Sequence, residues 1–157
     1  MAIRNIVKDG DDILLKTCRP VTVFDAKLAQ LLEDMAETMH EADGVGLAGP
    51  QVGIRRRVVT IDIGEGVMEL VNPEFLEQSG KQECVEGCLS FPGEYGITTR
   101  PKHVKVRAQD RHGNTFEFEA DDFLADVCCH EFDHLDGIVF KTRAVRMLTP
   151  EELENLK

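Results

Sequence analysis

The stretch His130-Glu131-Phe132-Asp133-His134 carries more information about the fold than any other part of the chain. Successive residues of an α-helix are rotated by roughly 100°, so His130 and His134 point the same way, one turn apart. Two imidazoles at this spacing can bind one metal ion, and Glu131 lies beside them to handle a proton. The stretch therefore predicts a helix that carries a metal site.

The residues around this stretch predict the limits and the buried face of the helix. The pattern runs over 122–135, with Asp121 and Asp122 at the N-cap and Gly137 just past the end. On a helical wheel both histidines and the glutamate share the apolar face, where a polar group is costly to bury unless something binds it. The apolar members of that face are Phe123, Leu124, Val127 and Leu135. Four residues fall outside it: Ala125, Asp126, Cys129 and Asp133.

A third metal ligand has to come from another part of the chain. The segment 86–93, EGCLSFPG, sets Cys88 between a glycine and a proline turn. A thiolate there would leave a fourth position open for water, as in catalytic zinc sites. Cys128 and Cys129 point away from His130 on the helix. Spacing alone does not decide between the three remaining candidates: Cys18, Cys84 and Cys88.

Composition and length narrow the class of protein. The 157 residues suit one domain, 1–157, with a substantial core, and we expect the tail 148–157 to be poorly ordered. No segment is apolar enough to cross a membrane, and the N-terminus lacks the features of a signal or transit peptide. Five cysteines without a signal predict reduced thiols in the cytoplasm. The net charge of -11 argues against nucleic-acid binding through a basic face.

Helical and strand patterns along the chain predict an α+β fold. Apolar residues recur at helical spacing over 25–41, which predicts a first helix that stops near Gly44. Four short runs have the composition or alternation of strands: 58–63, 68–71, 103–108 and 115–120. The turn residues 110–114 join the last two runs as a hairpin. We expect one α+β domain in which antiparallel strands pack around the metal helix.

The segment 44–53, GVGLAGPQVG, is too rich in glycine for a helix or a central strand. It is not a phosphate-binding loop, because no Lys-Ser/Thr pair follows it and no strand precedes it. An ordinary connecting loop is the simplest interpretation. Glycines would also let another chain approach the backbone closely.

Three segments, taken in order, resemble the three motifs of peptide deformylase. They are 44–51 (GVGLAGPQ), 86–90 (EGCLS) and 130–134 (HEFDH), and the resemblance, to the bacterial form of the family, runs over essentially the whole chain. It implies a mixed α+β domain with the metal helix packed against antiparallel strands. It also implies removal of the formyl group from N-formylmethionine at the start of new polypeptides, with release of formate.

The resemblance further implies roles for individual residues. It makes Glu131 the general acid/base, and Gln51 with the backbone N–H of Leu89 the donors to the developing oxyanion. It implies one divalent metal ion per chain, Fe²⁺ in the cell, with Zn²⁺, Ni²⁺ or Co²⁺ able to occupy the site. The implied metal ligands are Cys88, His130 and His134.

The resemblance to peptide deformylase also implies how a substrate peptide would lie in the site. The glycine-rich segment would let the peptide pair with the backbone near Gly46, in the manner of an added strand. We expect Val45, Phe123 and Val127 to wall an apolar pocket for the methionine side chain. Plain core packing is the alternative role for these three side chains.

The chain departs from the family pattern at three places. Gly49 stands where the first motif usually has alanine, and Cys129 where glutamine usually precedes the third motif. Bacterial relatives are thought to dock on the ribosome through a basic C-terminal helix, whereas this tail is acidic. Its acidic residues are Glu151, Glu152 and Glu154.

Two other functions fit the same helix. A metallopeptidase of the His-Glu-x-x-His type would take its third ligand downstream, where the available carboxylates are those of the acidic tail. A metal-stabilised binding module, an inactive relative with the same fold, is the non-enzymatic alternative. Retention of Glu131 and Gln51 speaks against that module, because neither residue is needed to hold a metal.

Overall fold

Strands fill the middle of the chain, between a helix near the N-terminus and the helix of the histidine pair. The computed structural model describes residues 2–156. Its helices and strands are α1 (Ala26–Glu41), β1 (Gly46–Ala48), β2 (Val58–Ile61), β3 (Met68–Ser79), β4 (Gln82–Cys88), β5 (Phe91–Arg100), β6 (His103–Gln109), β7 (Thr115–Asp121), α2 (Asp122–Leu135), α3 (Phe140–Arg143), β8 (Arg146–Met147) and α4 (Pro150–Glu154). The predicted α+β class is confirmed.

The strands form two antiparallel sheets. Five strands pair in the order β1-β2-β3-β6-β7, and the other three pair in the order β4-β5-β8. The predicted hairpin of β6 and β7 is confirmed, and its turn is closed by the Asp110 carboxylate, which accepts hydrogen bonds from the backbone of His112 and Asn114.

The two long helices cover opposite faces of one end of the larger sheet. Successive side chains of a strand point to opposite faces, and neighbouring residues in β1, β2 and β3 accordingly pack into different hydrophobic clusters. One cluster includes the buried face of α1 and takes Leu47, Val58 and Val71. The other includes the apolar side chains of α2 and takes Ala48, Val59 and Leu70. The helix that carries the histidine pair is thus anchored directly on the sheet.

Two segments are more ordered than the sequence patterns predicted. The glycine-rich segment contains β1, one of the two edge strands of the larger sheet, followed by a 3-10 turn at Gly49–Val52. The segment 86–93 is not a simple turn, because β4 and β5 form a hairpin through it. Glycines and Pro92 interrupt the strand pattern there, so only the cross-strand pairing reveals these strands.

The predicted limits of α2 are confirmed, but its predicted exposed face is wrong. Ala125, Asp126 and Cys129 are buried, whereas Phe123 is 53% exposed. The helix contacts strands of both sheets, so side chains outside the apolar stripe are covered as well. A helical wheel assumes one buried side and cannot represent a helix enclosed from two directions.

The C-terminal segment folds back along the smaller sheet. β8 pairs with β5, and Thr149 caps α4 by accepting a hydrogen bond from the backbone N–H of Glu152. Arg146 pairs with the Glu152 carboxylate at 2.7 Å. Poor order of 148–157 stays a prediction. Within residues 2–156, helices of the length and apolarity needed to cross a membrane are absent.

Candidate active site

The helix α2 presents its two histidines side by side, as the sequence predicted. Both rings are buried, and their centroids lie 5.1 Å apart with the planes nearly perpendicular. The side chain of His134 is completely shielded from solvent. The helix thus supplies two ring nitrogens to one enclosed point.

Cys88 completes a group of three donors around this point. It is the last residue of β4, and its Sγ lies 3.4 Å from His134 Nε2. The donor atoms of Cys88, His130 and His134 all lie within 4.8 Å of one another. Bond lengths of about 2.0 Å to nitrogen and 2.3 Å to sulfur put two tetrahedral ligands about 3.5 Å apart. The spacing of this group therefore fits a single divalent ion.

The orientation of His130 is fixed by groups behind it. Its Nδ1 is hydrogen-bonded to Glu86 Oε1 at 2.8 Å, which leaves Nε2 to face the metal position. The ring of Phe140 stacks against the imidazole at 5.9 Å. Glu86 is held in turn by two hydrogen bonds from Arg100, at 2.7 and 2.9 Å, and by the Thr98 hydroxyl. Metal-binding histidines are commonly oriented by a carboxylate in this way.

The electrostatics of the site favour a bound cation. Burial lowers the pKa of His130, but Glu131, Cys88 and Glu86 outweigh it and hold that pKa well above the ordinary value. Burial and the neighbouring His130 hold the pKa of His134 well below its ordinary value. Groups that stabilise a proton on one imidazole would also stabilise a metal ion that replaces it.

Glu131 lies beside the ligand group without belonging to it. The carboxylate is buried, its Oε2 lies 4.0 Å from His130 Nε2, and its Oε1 has no hydrogen-bond partner within residues 2–156. Burial raises the pKa of Glu131 to about 7, against the lowering effect of His130. A carboxyl with a pKa near neutrality can both take and return a proton.

Gly46 leaves room for this carboxylate. A Cβ atom at Gly46 would lie 2.6 Å from Glu131 Oε2, so any larger residue would displace the carboxylate. The backbone of the edge strand β1 thus comes directly against the catalytic candidate. This close approach explains one glycine of the glycine-rich segment.

Gln51 approaches the donor group from the 3-10 turn after β1. Its side chain is buried, and its Oε1 accepts a hydrogen bond from the backbone N–H of Ala48 at 3.0 Å. Its Nε2 lies 3.4 Å from Cys88 Sγ and 3.2 Å from Ser90 Oγ. The amide nitrogen thus points toward the metal position. Leu89 lies in the turn between Cys88 and Ser90 and lines the cavity described below.

A cavity of about 370 Å³ opens in front of these groups. One side is formed by Cys88, Gln51 and Glu131. The four residues predicted to bind substrate, Val45, Gly46, Phe123 and Val127, all line the same cavity. Phe123 and Val45 are exposed at it, whereas Val127 also belongs to the core beneath α2.

A second group of donors, Cys84, Glu86 and Asp126, is less suited to a metal. The carboxylate oxygens of Glu86 already accept hydrogen bonds from Arg100, Thr98 and His130. Burial and the adjacent Glu86 raise the pKa of Asp126 to about 8. An arginine and a neutral carboxyl leave this cluster without free anionic ligands.

The downstream carboxylates do not join the histidine pair. Glu152 is bound to Arg146, and within residues 2–156 the group of Cys88 and the two histidines includes no carboxylate from α4. The third ligand expected for a metallopeptidase is therefore not in place. Sequence reasoning also missed Arg100 and Phe140, which no local motif signals.

A cysteine and two imidazoles around one point, with a buried carboxyl group beside them, are the arrangement of a metal-dependent hydrolase. The comparison with known proteins identifies which kind. The sequence profile of the polypeptide deformylase family matches residues 3–149, and the chain belongs to that family.

Individual relatives agree over nearly the full length. Peptide deformylase from Caldanaerobacter subterraneus subsp. tengcongensis is 53% identical over 157 residues, which cover 100% of this chain and 99% of the relative. Peptide deformylase 1 of Bacillus subtilis is 48% identical, over 100% of this chain and 99% of its own. The crystal structure of peptide deformylase from Thermotoga maritima superposes with a TM-score of 0.89 at 43% identity, covering 90% of this chain and 97% of that one.

Proposed function

We propose that the protein removes the formyl group from N-formylmethionyl nascent peptides by hydrolysis and releases formate. The observation that carries this proposal is the grouping of Cys88, His130 and His134 around one point, beside the cavity that Glu131 and Gln51 line. These are the positions of the three family motifs, and family membership makes the chain an enzyme of this class.

Cys88, His130 and His134 would hold one divalent ion. When bound, the ion supplies a Lewis acid that polarises the formyl carbonyl and makes nearby water more acidic. The hydrogen bond of His130 to Glu86 keeps the second ring nitrogen free for this purpose. The buried setting excludes bulk water, which strengthens every charge interaction within the site.

Glu131 moves the proton. It accepts one from the water that adds to the formyl carbon, and it returns that proton to the amine nitrogen as the carbon–nitrogen bond breaks. Its unpartnered Oε1 and its pKa near 7 suit both steps. The products are formate and the free amino terminus of the peptide.

Gln51 and Leu89 stabilise the negative oxygen that develops on the formyl carbon. An amide side chain and a backbone N–H are neutral donors, so they can bind the oxyanion without competing with the metal charge. The position of Gln51 Nε2, 3.4 Å from Cys88 Sγ, supports this assignment.

The substrate peptide lies along the edge of β1. An extended peptide can add to this edge by backbone pairing near Gly46, and its first side chain then enters the space between Val45, Phe123 and Val127. The methionine side chain is apolar and flexible, which suits such walls.

Replacement of Val127 by phenylalanine tests this pocket. The larger ring should fill the cavity and raise KM for a formyl-Met peptide more than for a formyl-Ala peptide, whose side chain needs less room. Steady-state kinetics on both peptides, with thermal unfolding of the same preparations, measure the effect. Lower stability with unchanged KM in the folded fraction would assign Val127 to core packing alone.

The ion in the cell is Fe²⁺ in this proposal, with Zn²⁺, Ni²⁺ or Co²⁺ able to replace it. Intrinsic affinity favours the later metals of the series, so the iron assignment comes from the family resemblance. Fe²⁺ next to a thiolate is sensitive to oxygen, which can oxidise both the ion and Cys88.

The metal assignment predicts an activity that decays in air. Iron, nickel and zinc forms should be prepared from one apo preparation and compared with and without oxygen. We expect the iron form to lose activity in air, the nickel form to keep it and the zinc form to be slower throughout. A zinc form that is fastest, together with indifference to air, would contradict the iron assignment.

The decisive test of the function is formate release. Protein purified without oxygen should contain one metal ion per chain and release formate from a formyl-Met peptide, but not cleave the corresponding unblocked peptide. Metal without formate release would favour the inactive binding module. Cleavage of the unblocked peptide would favour a peptidase.

The proposal includes a cytoplasmic location, which the five free thiols support. The nascent peptide is the expected partner. Docking on the ribosome through a basic C-terminal helix is not part of the proposal, because the sequence of α4 is PEELE.

A further inference from the structure

The side-chain amide of Gln51 has two ends of nearly the same shape, and only one of them can donate a hydrogen bond. If the proposed function holds, the nitrogen has to face the formyl oxygen, since the amide oxygen would repel the developing negative charge. Something in the structure must therefore set the direction of this amide.

Both ends of the amide are held by neighbouring groups. The backbone N–H of Ala48 donates to Oε1 at 3.0 Å, which favours oxygen at that end. At the other end Nε2 donates to Ser90 Oγ at 3.2 Å. Gln51 and Ser90 are both buried, with 1% and 0% of their surfaces exposed, so water does not replace these contacts.

Ser90 is itself held in place by the chain. It lies in the turn between β4 and β5, and its carbonyl accepts a hydrogen bond from the backbone N–H of Asp9 at 2.9 Å. The same turn carries Cys88 at its start. The backbone of Ser90 therefore has a fixed position relative to Cys88.

We propose that Ser90 is a positioning residue for deformylation, whose hydroxyl holds the Gln51 amide nitrogen toward the metal position. One hydrogen of Nε2 binds Ser90, and the other is directed at Cys88, 3.4 Å away. Sulfur is a weak acceptor, so this hydrogen can turn to the oxygen of the formyl group when charge develops there. Without Ser90, the amide nitrogen loses its hydrogen bond to oxygen and keeps the weaker contact with Cys88 Sγ, so its position is less restrained.

A double-mutant cycle tests this coupling. Ser90→Ala should lower kcat about 3- to 10-fold, the size expected for one neutral hydrogen bond, with KM and metal content unchanged. In the Gln51→Ala background the same change should alter kcat by less than about 2-fold, because the amide it positions is gone. Thr60→Val is the matched control, since it removes another buried hydroxyl, one that lies against Met39. It should leave kcat unchanged.

A second measurement does not depend on activity. In the zinc-loaded protein, hydrogen exchange of the Gln51 side-chain amide, followed by NMR, should become faster in Ser90→Ala and stay unchanged in Thr60→Val. If Ser90→Ala does not fold, Ser90→Cys, which has a weaker acceptor, should show an intermediate effect.

The two hypotheses fail in different ways. Loss of formate release in the wild-type protein would reject the proposed function, while the amide exchange still reports on Ser90. Equal effects of Ser90→Ala in both backgrounds, or an unchanged exchange rate at Gln51, would overturn the positioning role.

Discussion

Replacement of Glu131 by glutamine should lower turnover of a formyl-Met peptide by about 10²- to 10⁴-fold, the usual cost of losing general acid/base help. Metal content should stay at one ion per chain, because the carboxylate is not a member of the ligand group. Glutamine has the same shape but cannot take the proton. Metal analysis and formate release on the same preparation measure both effects.

The pH dependence of kcat/KM is a second test of the role of Glu131. Burial raises the pKa of Glu131 to about 7, and a bound cation would lower it again. Because the base acts in its ionised form, kcat/KM should rise with pH through this pKa, at or below neutrality. The rise should be absent from the Glu131→Gln profile.

A surface glutamate provides the matched control for this experiment. Glu117→Gln makes the same chemical change on β7, where the carboxylate is exposed and pairs only loosely with Lys105. It should leave turnover unchanged. Near-normal turnover in Glu131→Gln would remove this residue from the mechanism.

Removal of the Cys88 thiol should abolish both metal binding and activity. Cys88→Ala leaves two imidazoles, and two protein ligands hold a divalent ion far more weakly than three. After dialysis we expect little metal in this variant and no measurable formate release. Elemental analysis of the dialysed protein is the direct measurement.

Two neighbouring cysteines are the controls for Cys88. Cys129→Ala should keep its metal, because Cys129 lies outside the ligand group. Cys84→Ala should also keep it, although Cys84 belongs to the second donor cluster with Glu86 and Asp126. Metal lost from Cys84→Ala but retained by Cys88→Ala would move the ion to that second cluster and falsify the assignment.

Local sequence patterns were sufficient for the two long helices and for one hairpin. The apolar spacing of 25–41 and of 122–135 predicted α1 and α2 within a residue of their observed limits. The alternation of 103–120 predicted the hairpin of β6 and β7. These elements are set by contacts between residues close in sequence, which periodicity and turn residues record directly.

The paired strands of the smaller sheet could not be predicted in the same way. Glycines and a proline interrupt the pattern of β4 and β5, and their pairing with each other replaces the missing local signal. The same holds for β1, where three residues become a strand only because β2 lies beside them. Strand formation depends on the partner more than on local preference.

The sequence by itself determined that His130, Glu131 and His134 share one face of a helix, because helical rotation fixes their directions. It left Cys18, Cys84 and Cys88 open as the third ligand, since no local rule joins residues 46 positions apart. Only the tertiary structure, by anchoring α2 against both sheets, brought the β4–β5 turn to that face. The same packing buried Asp126, left Phe123 exposed and set Arg100 behind Glu86. These positions depend on which surfaces of α2 and of the two sheets contact each other, and local sequence does not specify that.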